Sequence, residues 1–311
     1  MTPADVDAVI LNYRTFALTV QCARSVQSNG AGSIVVVDND SQDGCGDKLE
    51  AELGGFARVL RLASNGGFSA GNNRGAREGD APLLLFVNSD VVLPPGALAA
   101  MVDVLNRETR AGIVAPALAG SDGRAQASAY RFISPAVILQ TLLGLDKLAR
   151  KLGWAHLGGN VDLGRNGDYS GRVESLYGPC LLVRRQAFEQ VGGFDENFFL
   201  YCEETDLILR LARAGWQAFR TAATTVLHVH NQSAGQLPAR SLVLMNESNR
   251  YYAGKHFGWG GRTVTALAFA FGLTLRWVLA RRPEERRRYL AALGVWLGWT
   301  PSADPRRAPR A

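Results

Sequence analysis

The residues best suited to chemistry are carboxylates that close or follow apolar runs. Leu83 to Asp90 reads Leu-Leu-Leu-Phe-Val-Asn-Ser-Asp and is followed by Pro94-Pro95. An unbroken apolar run of this kind is the pattern of a strand buried on both faces, as in the interior of a parallel sheet. Asp90 then falls at the sheet's carboxyl edge, where open α/β sheets bind ligands, and Asn88 lies two residues earlier on the same side. A carboxylate fixed there is a hard oxygen ligand for Mg²⁺ or Mn²⁺, the ions that accompany diphosphates. The same Asp also suits the start of a turn, or the cap of the helix after Pro94-Pro95.

A second group is Glu203, Glu204 and Asp206, which follow the aromatic run Phe198-Phe199-Leu200-Tyr201 and open a segment with Leu207, Leu211 and Ala214 at helical spacing. Acidic residues at a helix N-terminus satisfy the helix dipole. Adjacent Glu203 and Glu204 cannot both be the cap, and a carboxylate shielded by aromatics has its pKa raised toward the range of a general base. A third group closes the β-branched run that starts at Thr224, where His228 and His230 alternate on a strand and so share a face. Both a ligand pair and an ordinary core histidine are open for them. The fourth, Ser64 to Gly75, is glycine-rich and opens a short helix, so backbone N–H groups can approach an anion closely. It is neither a Walker loop nor a Rossmann fingerprint, and a surface turn is the alternative.

The elements that must position these residues alternate. Ala8 to Leu11, following Val6, reads as a strand, Phe16 to Ser28 as a helix with Thr15 as N-cap, and Ser33 to Val37 as a second strand ending in Asp38-Asn39. Asp47 to Leu53 is a short helix, Ala57 to Leu62 a strand, Ala97 to Asn106 a helix and Gly112 to Ala115 a strand. Polar residues at the carboxyl end of each strand define a doubly wound, mostly parallel α/β sheet with helices on both faces. Beyond it, Pro135 to Leu152 has a helical pattern and Gly158 to Gly171 reads as a mobile loop over a site. Leu176 to Val183 is a strand interrupted at Gly178-Pro179, and Arg184 to Val191 a helix. The expected organisation is an α/β domain over 1–240, with a nucleotide-binding half to about 115 and a second half after it. Residues 241–311 then form a helical, basic extension.

Composition sets the wider bounds. The 311 residues are 47% hydrophobic and 20% charged, which describes a globular protein. The N-terminus lacks the pattern of a secretory signal, so a cytoplasmic setting is expected. Cys22, Cys45, Cys180 and Cys202 are scattered, which argues against structural zinc and a disulfide framework. The net charge of +6 owes much to Arg281-Arg282, Arg286-Arg287-Arg288 and Arg306-Arg307. These flank Val264 to Ala280, which is apolar apart from Arg276 and threonines, and the segment Glu284 to Trp299, which carries Tyr289, Trp296 and Trp299. Apolar sequence bordered by arginines suits an anionic membrane surface better than nucleic acid. Two helices packed on the domain are the alternative.

The ordered set of segments resembles the family 2 glycosyltransferases of the GT-A fold, and among them the bacterial rhamnosyltransferases. The matching blocks are Val9 to Tyr13, Val36 to Gly44, Asn65 to Gly75, Phe86 to Asp90, Gly178 to Arg185, Val191 to Tyr201 and Glu203 to Leu207. The resemblance implies that Asn12, Tyr13, Asp38 and Asn39 hold the base and ribose, and that Asn65, Gly67, Phe68 and Asn72 lie along the nucleotide. It implies that Asn88-Ser89-Asp90 is a metal motif whose contact falls to Asp90, with His228 as second ligand and His230 as competitor. Glu204 matches the position of the general base, with Glu203 and Asp206 as neighbours in contention. Tyr177 and Gly178 are expected on the acceptor side. The implied reaction is a metal-dependent, inverting transfer from a nucleotide-diphosphate sugar, dTDP-L-rhamnose or a UDP-sugar such as UDP-galactofuranose, to a glycan or polyprenyl-diphosphate-linked acceptor. That chemistry takes place at the cytoplasmic face of the inner membrane, and the oligomeric state, homodimer included, is left open.

Three rival readings are weaker. A nucleotidyltransferase needs a glycine-rich basic loop directly after the first strand, and Asn12-Tyr13-Arg14 is not one. An inactive scaffold would lack the carboxylates at positions 90, 203, 204 or 206, all of which are present. A nucleic-acid-binding protein would show a recognition motif, and none is found.

Overall fold

The computed structural model describes residues 1–142, 168–229, 238–300 and 302–306. His230, the far part of the Pro135 to Leu152 helix, most of the Gly158 to Gly171 loop and Arg307 lie outside the described residues. The described residues fall into two compact units: 1–130, 168–197 and 203–229 form the first, and 131–142, 198–202 and 238 onward the second.

In the first unit the strands are β1 (Val6–Asn12), β2 (Ser33–Asp38), β3 (Arg58–Arg61), β4 (Leu83–Asn88), β5 (Val91–Val92), β6 (Ala111–Ala119) and β7 (Ala125–Gln126). They continue with β8 (Ala129–Tyr130), β9 (Gly171–Val173), β10 (Ser175–Leu176), β11 (Cys180–Arg184) and β12 (Gln217–His228). The main sheet runs β3-β2-β1-β4-β11-β6-β12-β5, with β7 on β6 and β9 on β12, and β8 and β10 pair separately. β3, β2, β1 and β4 are mutually parallel. β11 is inserted antiparallel between β4 and β6, while β6 and β12 return to parallel pairing.

β4 is the strand its sequence requires, since Leu83, Leu84, Leu85, Phe86 and Val87 are all buried and strands on both sides fill its backbone hydrogen bonds. Four helices cover the sheet: α1 (Phe16–Ser28), α2 (Cys45–Leu53), α3 (Gly67–Ala76) and α4 (Ala97–Arg107). α1 buries Cys22, Ala23 and Val26, and α4 buries Leu98, Met101, Val102 and Leu105, so each lays one apolar stripe on the strands. The glycine-rich stretch is largely helix. A Cβ at Gly71 would lie 2.4 Å from Leu11 Cδ1, and one at Gly75 would lie 2.4 Å from Val9 Cγ1 and 2.9 Å from Val37 Cγ2. These glycines let α3 pack hard against β1 and β2.

α6 (Arg185–Gln190) and α7 (Glu203–Arg213) complete this unit. α7 starts at Glu203, a full turn earlier than its apolar spacing alone suggests, because its first turn is the acidic one. The second unit holds α5 (Pro135–Leu142), α8 (Pro238–His256), α9 (Trp259–Leu279) and α10 (Pro283–Leu297). Leu273 of α9 and Ala292 and Leu293 of α10 form its apolar centre, and Phe269 stacks on Trp296 at 4.7 Å.

Candidate active site

The carboxyl ends of β1, β2 and β4 lie side by side, with Asn12 in register with Asp38 and Leu11 with Asn88. Asn12 is fully buried. Its amide nitrogen donates to Asp38 Oδ1 at 2.7 Å and to Ser41 Oγ at 3.1 Å, and its oxygen accepts from the Thr15 and Thr19 hydroxyls. Asn12 therefore holds the Asp38 carboxylate from below. Thr15 is the N-cap of α1, as expected, but its hydroxyl makes no capping hydrogen bond and instead joins this network, reaching Ser89 Oγ at 2.9 Å. Tyr13 is half-buried under the Arg14 guanidinium, 5.2 Å from its ring centre.

Asn39 fastens the glycine segment to this edge. It donates to Asn65 Oδ1 at 3.0 Å and to the Gly67 carbonyl at 3.2 Å, and it accepts from the Gly66 N–H. Asn65 in turn accepts from the Gly67 N–H at 2.9 Å. Phe68 meets Phe194 edge-on, and Asn72 donates to the Phe68 carbonyl within α3. Asn73, which the sequence did not single out, pins the Gly192-Gly193-Phe194 turn. It donates to the Phe194 carbonyl at 2.8 Å and accepts from the Phe194 N–H at 2.9 Å.

Asp90 sits in the turn between β4 and β5 and does not cap α4, whose N-cap is Gly96. Its carbonyl accepts from the Val229 N–H at 2.9 Å, and β5 pairs with the end of β12, placing Val91 opposite His228. This pairing puts His228 Nε2 3.6 Å from Asp90 Oδ1. The other side of the imidazole is fixed by Gln126: His228 Nδ1 stands 2.8 Å from Gln126 Oε1, and the amide nitrogen donates to the His228 carbonyl at 3.0 Å. Gln126 Oε1 can only accept, so Nδ1 carries a proton, and in the neutral ring Nε2 bears the lone pair on the side of the carboxylate. A carboxylate oxygen and an imidazole lone pair facing each other suit a shared cation. An oxygen and nitrogen pair fits Mn²⁺ or Mg²⁺, with phosphate and water as further ligands.

Tyr177 packs edge-on to His228 at 5.9 Å and to Tyr130 at 6.2 Å. The next residue lies beside the acidic helix, where a Cβ at Gly178 would be 3.4 Å from Glu204 Cγ and Cδ. Tyr177-Gly178 thus connects the Asp90–His228 pair to Glu204. The three acidic residues of α7 separate by environment. Asp206 is buried in an ion pair with Arg210 Nε at 2.7 Å, and Arg210 also holds the Val191 carbonyl. Glu203 is buried with Oε2 lacking a hydrogen-bond partner, and burial together with the charge of Glu204 pushes its pKa well above the ordinary value. Glu204 is half-buried, and its pKa is also raised by burial, against the opposing pull of backbone N–H groups at the helix start.

The profile of the glycosyl transferase family 2 matches residues 8–192. The chain belongs to that family. As a family 2 glycosyltransferase it is 31% identical over 258 residues to the N-acetylglucosaminyl-diphospho-decaprenol L-rhamnosyltransferase of Mycobacterium tuberculosis, covering 73% of this chain and 76% of that one. A 56-residue segment is 41% identical to rhamnosyltransferase WbbL of Escherichia coli K12, covering 18% of this chain and 21% of that one. Among solved structures, the mannosyltransferase of Pyrobaculum calidifontis in complex with GDP-Man and Mn²⁺ superposes with a TM-score of 0.56 at 13% identity, over 97% of this chain and 84% of that one. The fold is therefore that of the GT-A glycosyltransferases, a mixed, mostly parallel sheet with C-terminal helices.

Proposed function

We propose that the protein transfers a sugar, best matched by L-rhamnose from dTDP-L-rhamnose, onto a hydroxyl of a polyprenyl-diphosphate-linked glycan in cell-surface polysaccharide synthesis. The single observation that carries the reading is the short chain of contacts from Asp90–His228 through Tyr177-Gly178 to Glu204. It supports reading Asp90 and His228 as a cation-binding pair, joined by one backbone segment to the shielded carboxylate of Glu204. The mycobacterial relative's name supports both the rhamnosyl donor and a lipid-diphosphate acceptor. UDP-galactofuranose and UDP-hexoses remain the competing donors.

The base and ribose are assigned to the edge formed by Tyr13, Asp38 and Asn39, with Asn12 positioning Asp38 and with Asn65, Gly67, Phe68 and Asn72 shaping the side along the nucleotide. Asp90 and His228 would hold Mn²⁺ or Mg²⁺. When bound, the ion supplies Lewis-acid stabilisation of the diphosphate leaving group. Glu204 takes the proton from the acceptor hydroxyl, which attacks the anomeric carbon from the face opposite the leaving group in a single displacement, inverting that centre. Burial, and after it the charge of Glu204, opposes the ionisation of Glu203, so of the adjacent pair we assign Glu204 as the base. Asp206 anchors α7 through Arg210. Tyr177 and Gly178 line the acceptor side. The basic C-terminal region brings the enzyme to the cytoplasmic face of the membrane, where a lipid-linked acceptor resides.

The test is transfer from a panel of dTDP- and UDP-sugars with Mn²⁺ or Mg²⁺, comparing the wild type with Asp90→Ala and Glu204→Gln. Metal-dependent turnover of dTDP-rhamnose, lost in both variants, is the expected result. Turnover that survives either substitution would remove that residue's assigned role, and turnover of a UDP-sugar alone would replace the donor.

A further inference from the structure

Within the second unit, α9 has two unlike faces. Thr265, Ala268, Gly272 and Leu273 are buried, and on the opposite side Leu267, Phe271, Leu275 and Val278 stand in solvent at spacings of four, four and three. Leu267 is 67% exposed, Phe271 63% and Trp259, at the helix start, 84%. Covering such a row with water is costly, and contiguous exposed apolar surface marks an interaction site. The charge along the helix carrying the row has one sign, and Glu284 and Glu285 follow only at the start of α10. From Trp259 to Arg282 the chain carries Arg262, Arg276, Arg281 and Arg282 and no Asp or Glu. At the head of the row a cleft of about 310 Å³ opens between α8, α9 and α10, lined by Arg250, Arg262, Trp259, Thr263 and Trp296. Arg250 is fixed in its wall by donating to the Val295 carbonyl at 2.6 Å. Thr263 borders both the cleft and the exposed row.

We infer that this face of α9 docks in the plane of an anionic phospholipid membrane, with a phosphate-bearing headgroup received in the Arg250–Arg262 cleft. The apolar row would enter the acyl boundary, and the arginines and tryptophans would stay at headgroup depth. α9 is long and apolar enough to cross a membrane. One side of it is nevertheless committed to its own unit, which favours lying in the interface over spanning it. A second copy of the chain is a poorer occupant, because pairing two arginine-rimmed faces would bring like charges together. The inference deepens the membrane part of the function proposed above and uses none of its catalytic residues.

The test is co-sedimentation of the full chain with phosphatidylcholine vesicles and with vesicles containing phosphatidylglycerol. Binding is expected to the anionic vesicles and to weaken as salt is added. Arg281→Gln with Arg282→Gln should weaken it about fivefold per arginine, and Leu267→Asp with Phe271→Asp should abolish it. Arg262→Gln should weaken it, and glycerol 3-phosphate should not displace the protein. No difference between the two vesicle types would overturn the proposal. So would displacement by glycerol 3-phosphate, which marks a soluble-phosphate site, or a wild-type dimer that Leu267→Asp with Phe271→Asp converts to monomer without affecting vesicle binding. Nucleotide binding retained by each variant shows that it is folded. Vesicle binding by an enzyme that turns over no sugar would sink the catalytic reading alone.

Discussion

His228 faces Asp90 across 3.6 Å while Gln126 grips the same residue twice, through the ring at Nδ1 and through its backbone carbonyl. The pair joins the turn before β5 to the end of β12, segments far apart in sequence that meet where β12 pairs with β5. Gln126 therefore fixes which nitrogen carries the proton and where the other one points. Partners of this kind orient a ligating histidine and raise metal affinity. Gln126→Ala is expected to weaken Mn²⁺ binding about 10–100-fold, whereas Asp90→Ala should remove it. Titration of Mn²⁺ into protein saturated with nucleoside diphosphate, followed by electron paramagnetic resonance, measures both. Unchanged affinity in Gln126→Ala would mean that the clamp serves stability only.

Glu204 makes a prediction in pH. A base works ionised, and burial raises the Glu204 pKa above its ordinary value of 4.5. The acidic limb of the kcat/KM profile should accordingly fall at a higher pH than an exposed carboxylate would give, with activity rising as pH rises through that limb. Glu204→Gln should lower kcat by about 10²–10⁴-fold and erase the limb, with donor affinity kept. A profile whose limb is unmoved in Glu204→Gln would assign the proton to another group.

Gly178 supports the same carboxylate sterically. A methyl at this position would touch Glu204 at ordinary van der Waals distance, whereas a branched side chain would displace it. Gly178→Ala is expected to keep most of the activity, and Gly178→Val to lose it mainly in kcat. A loss confined to the KM for acceptor would instead place Gly178 at the acceptor alone.

The parts of the fold visible in the sequence were those governed by local pattern. Phe16–Ser28 is the expected helix residue for residue, and the Leu83 strand is buried as its unbroken apolar run requires. What resisted was set by partners distant in the chain. Gln126 lies 102 residues from His228, and nothing local distinguishes it from a surface glutamine. β12 begins at Gln217, seven residues before its β-branched run, because a register shift between Thr221 and Thr225 hides the earlier half, where Arg220 is buried. The glycines of α3 suggest a loop until Leu11, Val9 and Val37 are seen against them. α8 falls in the region expected to be helical, but its bounds were not legible because Asn246, Ser248 and Asn249 blur its apolar spacing. Asn246 and Asn249 donate to the Leu242 and Met245 carbonyls one turn back in the same helix, and Ser248 donates to the Leu200 carbonyl outside it.

Asn73 is expected to matter for folding. It is buried and makes two hydrogen bonds to the Phe194 backbone, at 2.8 and 2.9 Å. Asn73→Ala leaves a buried N–H and C=O unsatisfied, at a cost of about 2–4 kcal/mol. Chemical denaturation should show the midpoint shift at unchanged slope. A shift below about 0.5 kcal/mol would mean that water replaces the amide.

Glu203 gives the opposite sign. Its folded-state pKa is raised by burial and by the charge of Glu204, and Oε2 has no partner. The folded protein therefore holds this proton more tightly than the unfolded chain does. The stability this supplies is complete below the unfolded-state pKa and is lost as pH rises through the folded-state pKa. Between the two pKa values the wild type holds a proton that the unfolded chain releases, and above the folded-state pKa it carries a buried charge. Glu203→Gln, which is neutral at every pH, removes that dependence. Its melting temperature should exceed that of the wild type at pH 8, and the gap should close as pH falls toward 4. Thermal melts of both proteins across that range, at constant ionic strength, decide it. A gap that stays constant with pH would show that the proton on Glu203 is not linked to folding, and a gap that widens toward acid would mean that Glu203 is stabilised as the carboxylate.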